Sequence, residues 1–565
     1  MAIIHYLPVI LPLFVFIIPL FYNLYPLINA YSGIINAMFL CLGVIFLIYS
    51  LTAPSKTYLH FNYVDVFSLG FLLYTLINAV LKHPKHLPCN DNILLSAGIV
   101  LYLTLKQSFQ NKSAVIVLLV LVLSTGLIVQ IFAVLQLSKL LPVINFVYKA
   151  TGVFLNPNIF CTYLTLQFPL IVFGLVKSKQ PVIKILCGIY CVDALFFNIL
   201  LSSRAAFLAM IVVIMLLLIK ADLHLKVKKP ALIVTSLILV ISIFISSHIK
   251  TGSSEGRLFI WKTSLGMLHQ DPVFGLGFGT YKSRYNLYQA QYFKSAGHAR
   301  SDVLHADENY EPFNDYLGIG IEEGVIGFLL FTGMLFAVFF NIKKLSGFSL
   351  YVSCSILVFA TISLFSYPVE EPFLFLEFIA LIAIYSAHVS GKKSSVSYKI
   401  KIVAFLMAVI CLNRFYYTNK WLTIRNSKPD DTGEYAKLYP HLRDTPVFLQ
   451  DYAQILGADK NYYAAIKISE ESRDILPTPS IYERLGLLYN NAGIPDSAEN
   501  NFKEASMMVP GKFGPKYMLF NYYKSTNNLK QQRKLANDIL GMNIKVPSME
   551  VDMIRNDVKM FLKKK

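Results

Sequence analysis

Apolar runs of roughly bilayer-crossing length recur along most of the chain. Nine come first, near residues 7–28, 33–53, 64–81, 92–106, 113–137, 158–176, 182–201, 205–219 and 230–248. Four more follow, near 324–341, 349–366, 372–389 and 400–416. A helix rises about 1.5 Å per residue, so crossing a hydrocarbon core of about 30 Å takes about 20 apolar residues, and the runs at 92 and 205 are short by that measure. The pattern predicts an all-α, polytopic helical membrane protein of about 12–13 spans. Only one long polar connection interrupts it, Lys250 to Glu323. Any chemistry that needs water and charge is expected there.

After Tyr416 the apolar pattern stops and a polar tail begins. Two stretches of the tail align at a period near 33, Ala464-Ala465 to Pro477 with Ala498 to Pro510, and a degenerate third unit runs from Pro515 to Pro547. Leu485-Gly486, Tyr489, Ala498, Phe502 and Pro510 follow the tetratricopeptide pattern of paired antiparallel helices. The expected division is a transmembrane domain at 1–416 carrying the loop 250–323, and a helical-repeat domain at 417–565. Such repeats either brace a neighbouring domain or offer a concave face to a partner.

Composition sharpens this reading. With 55% hydrophobic and 15% charged residues and a mean hydropathy of +0.54, a soluble enzyme of this length is excluded. The net charge of +18 would suit nucleic acid, but the cations gather in short connections between apolar runs, as in membrane proteins with positive cytoplasmic loops. No nucleic-acid partner is expected.

Lys106 and Lys112; Lys177 and Lys179; Lys220, Lys226, Lys228 and Lys229; Lys343 and Lys344; and Lys392, Lys393 and Lys399 all fall on one side when thirteen helices are threaded from an inside N-terminus. The long loop and the tail then lie outside the cytoplasm. Lys82, Lys85 and the two histidines of the 82–91 connection sit on the opposite side, as local exceptions or as a basic patch near a substrate headgroup. The first apolar run has no basic segment before it and no small-residue cleavage site, so it reads as a retained span. Six of the seven cysteines lie in apolar segments and Cys89 has no evident loop partner, so neither a disulfide framework nor a metal site follows.

The long loop carries Gly256-Arg257-Leu258-Phe259-Ile260-Trp261-Lys262, then Asp271-Pro272-Val273-Phe274-Gly275-Leu276-Gly277, then Pro312-Phe313-Asn314-Asp315-Tyr316-Leu317 and Glu322-Glu323-Gly324-Val325-Ile326-Gly327. Two further motifs lie in other outer connections, Gly152-Val153-Phe154-Leu155-Asn156-Pro157-Asn158 and Ser202-Ser203-Arg204-Ala205. In this order, over roughly residues 130–330, they resemble the O-antigen ligase and polymerase superfamily of bacterial membrane glycosyltransferases, which includes protein O-oligosaccharyltransferases. One position departs from that family's pattern. Where the family has His before Asn, this chain has Phe313.

The resemblance implies a glycan donor on a polyprenyl diphosphate, whose leaving diphosphate needs cationic stabilisation. A guanidinium grips phosphate oxygens in a bidentate fork and stays protonated. Arg204, bounded by apolar helices where charge is costly without a task or a partner, is the leading candidate. Arg257 comes second and Lys262, about one turn on, third. Their alternative readings are an interfacial arginine that snorkels and solvated loop cations.

With Phe313 in the histidine's place, Glu311 and His305 are the candidates for orienting or deprotonating the acceptor hydroxyl. The reaction can also proceed with late proton loss to water. Asn314 and Glu322 match positions that cap or orient the entering helix or touch sugar, and Asn156 and Asn158 are candidate substrate contacts. Asp193 and Glu377 are expected to serve helix packing or to pair with arginine. Asp302, Asp307, Glu308 and Glu311 could gather a divalent ion, but their spacing matches no defined calcium loop. No cofactor or metal is expected.

The expected function is transfer of a preassembled glycan from polyprenyl diphosphate to an acceptor hydroxyl, on a protein Ser/Thr or a lipid A core sugar, at the periplasmic face of a bacterial inner membrane. Membrane lipids are the expected surroundings. The competing readings are an O-antigen or polysaccharide polymerase, a transporter of lipid-linked glycan, and a non-catalytic assembly scaffold. The transporter reading would favour internal symmetry between halves, and the chain shows none.

Overall fold

The computed structural model describes residues 11–24, 30–53, 58–82, 89–109, 113–143, 147–221, 230, 233–237, 251–295, 299–340, 345–394 and 397–563. It is 79% helical. A 3-10 helix, Leu11–Leu24, precedes α1 (Ala30–Thr52), α2 (Tyr63–Lys82), α3 (Asn90–Ser108), α4 (Ser113–Leu137), α5 (Pro157–Lys177), α6 (Pro181–Leu200) and α7 (Arg204–Lys220). The long loop folds as α8 (Thr251–Leu268), α9 (Tyr281–Lys294) and the short α10 (Arg300–His305). Then come α11 (Asp315–Phe339), α12 (Gly347–Ile362), α13 (Pro372–Ala387) and α14 (Ser397–Ser427).

Seven helical segments among the described residues are long and apolar enough to cross a membrane: Gly33–Thr52, Tyr63–Lys82, Ser113–Leu137, Pro157–Lys177, Pro181–Leu200, Asp315–Phe339 and Tyr398–Ser427. Pro12–Phe21, Gly347–Ile362 and Pro372–Ala387 are shorter apolar helices. The chain is thus an all-α polytopic membrane protein. The expected run at 230–248 lies largely outside the described residues, as do Lys85, Lys112, Lys226, Lys228, Lys229, Lys343 and Lys344.

Small residues let the apolar helices approach closely, because hydrocarbon gives them no hydrophobic incentive to associate. A Cβ on Gly43 of α1 would meet the Leu412 side chain of α14 at 2.7 Å, and one on Gly126 of α4 would meet the Tyr190 ring of α6 at 2.3 Å. One polar cluster ties three helix ends together. Lys106 Nζ donates to both oxygens of Asp65 and to Ser386 Oγ, each at 2.6 Å. Tyr102 donates to the same carboxylate at 2.7 Å, and Lys106 is only 1% exposed. A buried ion pair survives when its partners are well aligned and fully hydrogen-bonded. Beside it the chain forms a two-stranded antiparallel pair, β1 (Leu59–Phe61) with β2 (Lys392–Ser394).

The tail continues without a break from the last membrane helix, because α14 runs past Tyr416 to Ser427. It is followed by α15 (Thr432–Leu442), α16 (Pro446–Ala458), α17 (Tyr462–Ile475), α18 (Pro479–Asn491), α19 (Pro495–Met508), α20 (Phe513–Ser525), α21 (Leu529–Leu540) and α22 (Met549–Lys563). Several open on Pro at the first turn, where a missing N–H costs nothing. Gly486 of α18 lies against Phe502 of α19, whose ring would be 2.7 Å from an added Cβ. The tail is fastened to the membrane helices by Arg414 of α14. Its guanidinium donates to Asn90 Oδ1 at 2.7 Å, to the His441 carbonyl at 2.9 Å, and to Asp444 and Thr445 at 2.8 Å each.

Candidate functional site

The Asp-Pro-Gly turn of the long loop and the Glu-Glu-Gly segment build each other. Leu276 N and Gly277 N donate to the carbonyls of Ile321 and Glu322 at 2.9 and 2.8 Å, and Val325 N donates to the Pro272 carbonyl at 2.9 Å. These bonds break α11 at Gly324, whose φ of 65° and ψ of −166° leave the helix. Gly275 has φ +75°, and a Cβ there would stand 2.3 Å from the Glu322 carbonyl oxygen, while one on Gly324 would stand 2.3 Å from that of Val273. Only glycine fits both positions.

Asn78 on α2 secures the junction, donating to the Phe274 carbonyl and to Glu323 Oε2 at 2.9 Å each. Lys82, on the unexpected side by charge, pairs with Asp271 of this turn at 2.5 Å. It is therefore part of the loop's support.

The two candidate arginines approach from different elements. Arg204 opens α7, and its Nη1 donates to Ser254 Oγ on α8 at 3.4 Å; Arg257 follows one turn later on α8. Burial, and next the charge of Arg204, lower the Arg257 pKa, so the two cations act on each other. Arg257 Nη1 donates to the Phe365 carbonyl at 2.5 Å, and its guanidinium lies over the Phe313 ring at 5.2 Å. That ring meets Tyr367 edge-on at 5.1 Å, and Asn156 Nδ2 donates to the Tyr367 hydroxyl at 3.3 Å. Phe313 thus presents a π face to the Arg257 guanidinium. It does so from a left-handed φ of +51°, which is costly for a bulky residue. Trp261 Nε1 donates to the adjacent Pro312 carbonyl at 2.9 Å and helps hold the conformation.

A cavity of about 790 Å³ lies among the loop, the membrane helices and the tail. Glu311, Glu370 and Glu371 line it, with Lys282 and Asp91 on the membrane-domain side and Arg473 and Tyr482 on the tail side. Burial raises Glu311 well above the usual carboxylate range, and the charges of Glu370, Glu371 and Glu322 add to this against the opposing Lys282. Its Oε2 is buried with no hydrogen-bond partner among the described residues. Burial likewise brings Glu370 and Glu371 to about 7, with the charge of Glu370 adding to the shift at Glu371. Tyr367 is raised by burial first, then by Glu371 and Glu311, with Arg257 opposing. It therefore stands within electrostatic reach of both the acids and the arginine pair.

The other sequence candidates are distributed more widely. Asn156 spends its carbonyl oxygen capping α5, accepting from Asn158 N at 2.8 Å, while the Asn158 side chain is exposed. Asn314 caps α11 by accepting from Leu317 N at 3.0 Å, and Glu322 Oε1 accepts from Tyr281 N at 2.7 Å. Lys262 turns away from the arginines to Tyr292 and Asp302, at 2.9 and 3.1 Å. His305 Nε2 faces Glu255 at 3.1 Å. Of the two intramembrane acids, Glu377 accepts from Gln167 at 3.2 Å and pairs with no arginine among the described residues.

Sequence reasoning missed Tyr367, Glu370 and Glu371. The signal was a pair of acids directly before Pro372, in a short connection between two apolar runs.

No curated protein and no solved structure matches the chain significantly. Residues 189–332 match the family model described as O-antigen ligase. This interval spans Arg204, Arg257, the Asp-Pro-Gly turn, Glu311 and Glu322, and it supports the O-antigen ligase superfamily for this multi-pass membrane protein, with an activity of the glycosyl-transfer or ligase kind.

Proposed function

We propose that the chain is a membrane glycosyltransferase of the O-antigen ligase type, moving a preassembled glycan from a polyprenyl diphosphate to an acceptor hydroxyl on a protein Ser/Thr or a lipid A core sugar. The observation that carries this is the approach of Arg204 and Arg257 from two separate helices, with the Phe313 ring under Arg257 and Tyr367 edge-on to that ring. Two like charges repel and are kept together only at a cost. A bound dianion offsets that repulsion, which together with burial lowers the Arg257 pKa.

In this reading the arginines grip the diphosphate, and their hold tightens as the bond from the anomeric carbon to the phosphate oxygen lengthens. Removing one such oriented donor typically costs about 3 kcal/mol of barrier. Asn156 and Tyr367 border the arginine space, where they orient the sugar next to the diphosphate. The bent Gly275–Gly324 junction keeps α8 and α11 in register, so that Arg257 and Phe313 stay stacked.

We assign residues 1–416 to the transfer domain and 417–565 to a helical-repeat domain. The loop and the tail are both assigned to the periplasmic side of the inner membrane. Basic connections at Lys177, Lys179, Lys220, Lys392, Lys393 and Lys399 support that orientation. Lys106 supports it less, because it is consumed by Asp65.

The test is deletion of the gene followed by mass spectrometry of envelope proteins and lipopolysaccharide, with Arg204→Ala and Arg257→Ala as complementing variants. Loss of a glycan from one class of molecule, restored by the wild-type chain and by neither variant, is expected. Full restoration by both variants at normal protein levels would overturn the assignment.

A further inference from the structure

Resting on that reading, we propose that Glu371 is the catalytic base: from the lining of the 790 Å³ chamber among loop, membrane helices and tail, its carboxylate takes the proton of the acceptor hydroxyl. The chamber is the acceptor's site, with the tail forming its far wall.

Three geometric facts single out this residue. Glu371 occupies the N-cap position of α13, yet its side chain makes no capping hydrogen bond. The shorter Ser, Thr, Asp and Asn ordinarily accept from the first turn at this position, and the longer Glu371 side chain is left free of that task. Here it lines the chamber, while the helix N-terminus behind it favours its ionised form. Tyr367, four positions earlier, is in contact with Phe313 and Asn156 and feels the charges of both Glu371 and Arg257. In the proposal, a sugar held by the arginines beside Tyr367 reaches Glu371 through the chamber that this carboxylate lines.

Glu311 is a poorer choice for the same task. Its Oε2 is enclosed without a partner, among Glu370, Glu371 and Glu322, which is a setting that retains a proton. The groups acting on Glu371 and its neighbours are Glu370, Glu311 and Tyr367, with Lys282 opposing at Glu370 and Arg257 at Tyr367. Burial brings Glu371 to about 7, where a base is ionised yet still able to accept a proton. These acids form no group placed to hold a metal ion among the described residues.

The step balances without a further reactant. The acceptor oxygen forms a bond to the anomeric carbon as its proton passes to Glu371. The bond from that carbon to the diphosphate oxygen breaks, and its electron pair leaves with the polyprenyl diphosphate, held by Arg204 and Arg257. Glu371 then releases its proton through the chamber to water.

The experiment uses the purified full-length chain in proteoliposomes, with polyprenyl-diphosphate-linked glycan extracted from the host and the acceptor that the deletion strain identifies. Turnover is followed from about pH 5 to about pH 9. Glu371→Gln is expected to lower kcat by about 100-fold or more, to leave the donor KM within about threefold, and to abolish the acidic limb of the profile. Glu371→Asp should retain part of the turnover with that limb displaced.

A fall of less than about tenfold in Glu371→Gln, or an acidic limb unmoved in both variants, overturns the proposal. If Glu371→Gln fails to accumulate, the limb of Glu371→Asp decides alone. Arg204→Ala keeps the two readings apart. Its full activity would defeat the glycosyltransferase assignment, whereas its loss alongside an active Glu371→Gln would defeat only the base.

Discussion

Arg204 donates to Ser254, and Ser254 stands one helical turn before Arg257. This places a cation from the start of α7 beside a cation from the middle of α8, although 53 positions separate them in sequence. In the proposed reading both guanidiniums serve one diphosphate. Replacing either by Ala should lower transfer by about 100- to 1,000-fold, the usual effect of losing an oriented transition-state donor. Arg257→Lys keeps the charge and loses the fork, so it should recover only part of the activity. Initial rates with lipid-linked donor check both expectations.

Phe313 holds Arg257 by its ring face. Such a contact contributes about 0.5–2 kcal/mol, depending on how well water is excluded. Phe313→Leu should therefore raise the donor KM by roughly two- to thirtyfold, with a smaller effect on kcat. A Phe313→His variant keeps an aromatic ring in place and offers a direct comparison with the residue that the family pattern carries. Should Phe313→Leu leave the donor KM unaltered, the ring is no part of the cation's support.

The paired acids make stability depend on pH in a definite direction. Glu370 and Glu371 are raised from 4.5 to about 7, so the folded chain binds their protons more tightly than the unfolded chain does. That contribution is fully present below about pH 4.5 and is lost as the pH climbs through about 7. The Tm of the detergent-solubilised protein should fall across this window. Glu370→Gln should flatten the decline, and an unchanged slope would remove Glu370 as its source.

At the crossing of the two loop segments, Gly275→Ala and Gly324→Ala each force a Cβ to within 2.3 Å of a backbone carbonyl oxygen, on a left-handed backbone. Both effects disfavour Ala, and their sum should exceed about 2 kcal/mol. Limited proteolysis should then cut the 271–281 segment much faster than in the wild type. Gly256→Ala, which meets nothing within 4 Å, is the matched control.

Much of this architecture is legible in the sequence, because a bilayer imposes long apolar runs that few other constraints produce. Arg204 and Arg257 are legible for a related reason, since charge beside apolar segments needs an explanation. What escaped was pairing at a distance. Lys106 ends an apolar run like any cytoplasmic lysine, and nothing nearby reveals that Asp65, 41 positions earlier, has claimed it. Glu370 and Glu371 escaped because a short connection between spans reads as solvent-facing turn. Only folding shows that Glu311 from the far side of the chain is enclosed with them.

The junction at Arg414 has its own expected outcome. Its pair with Asp444 is 5% and 7% exposed on the two sides, and removing one partner from a buried pair typically costs 3–5 kcal/mol. Arg414→Ala should therefore loosen the tail while leaving the membrane helices intact. Faster proteolysis after Ser427 with an unaltered membrane-embedded fragment is the expected pattern.

The 31 residues of α14 span about 46 Å at 1.5 Å per residue, against a hydrocarbon thickness of about 30 Å. Such a rod behaves as a lever whose lower arm sits in lipid and whose upper arm carries one side of the acceptor's room. A thicker or thinner bilayer changes its tilt, and the tilt resets the width of that room. If that room takes the acceptor as proposed, the lipid composition around the protein sets how large an acceptor it admits.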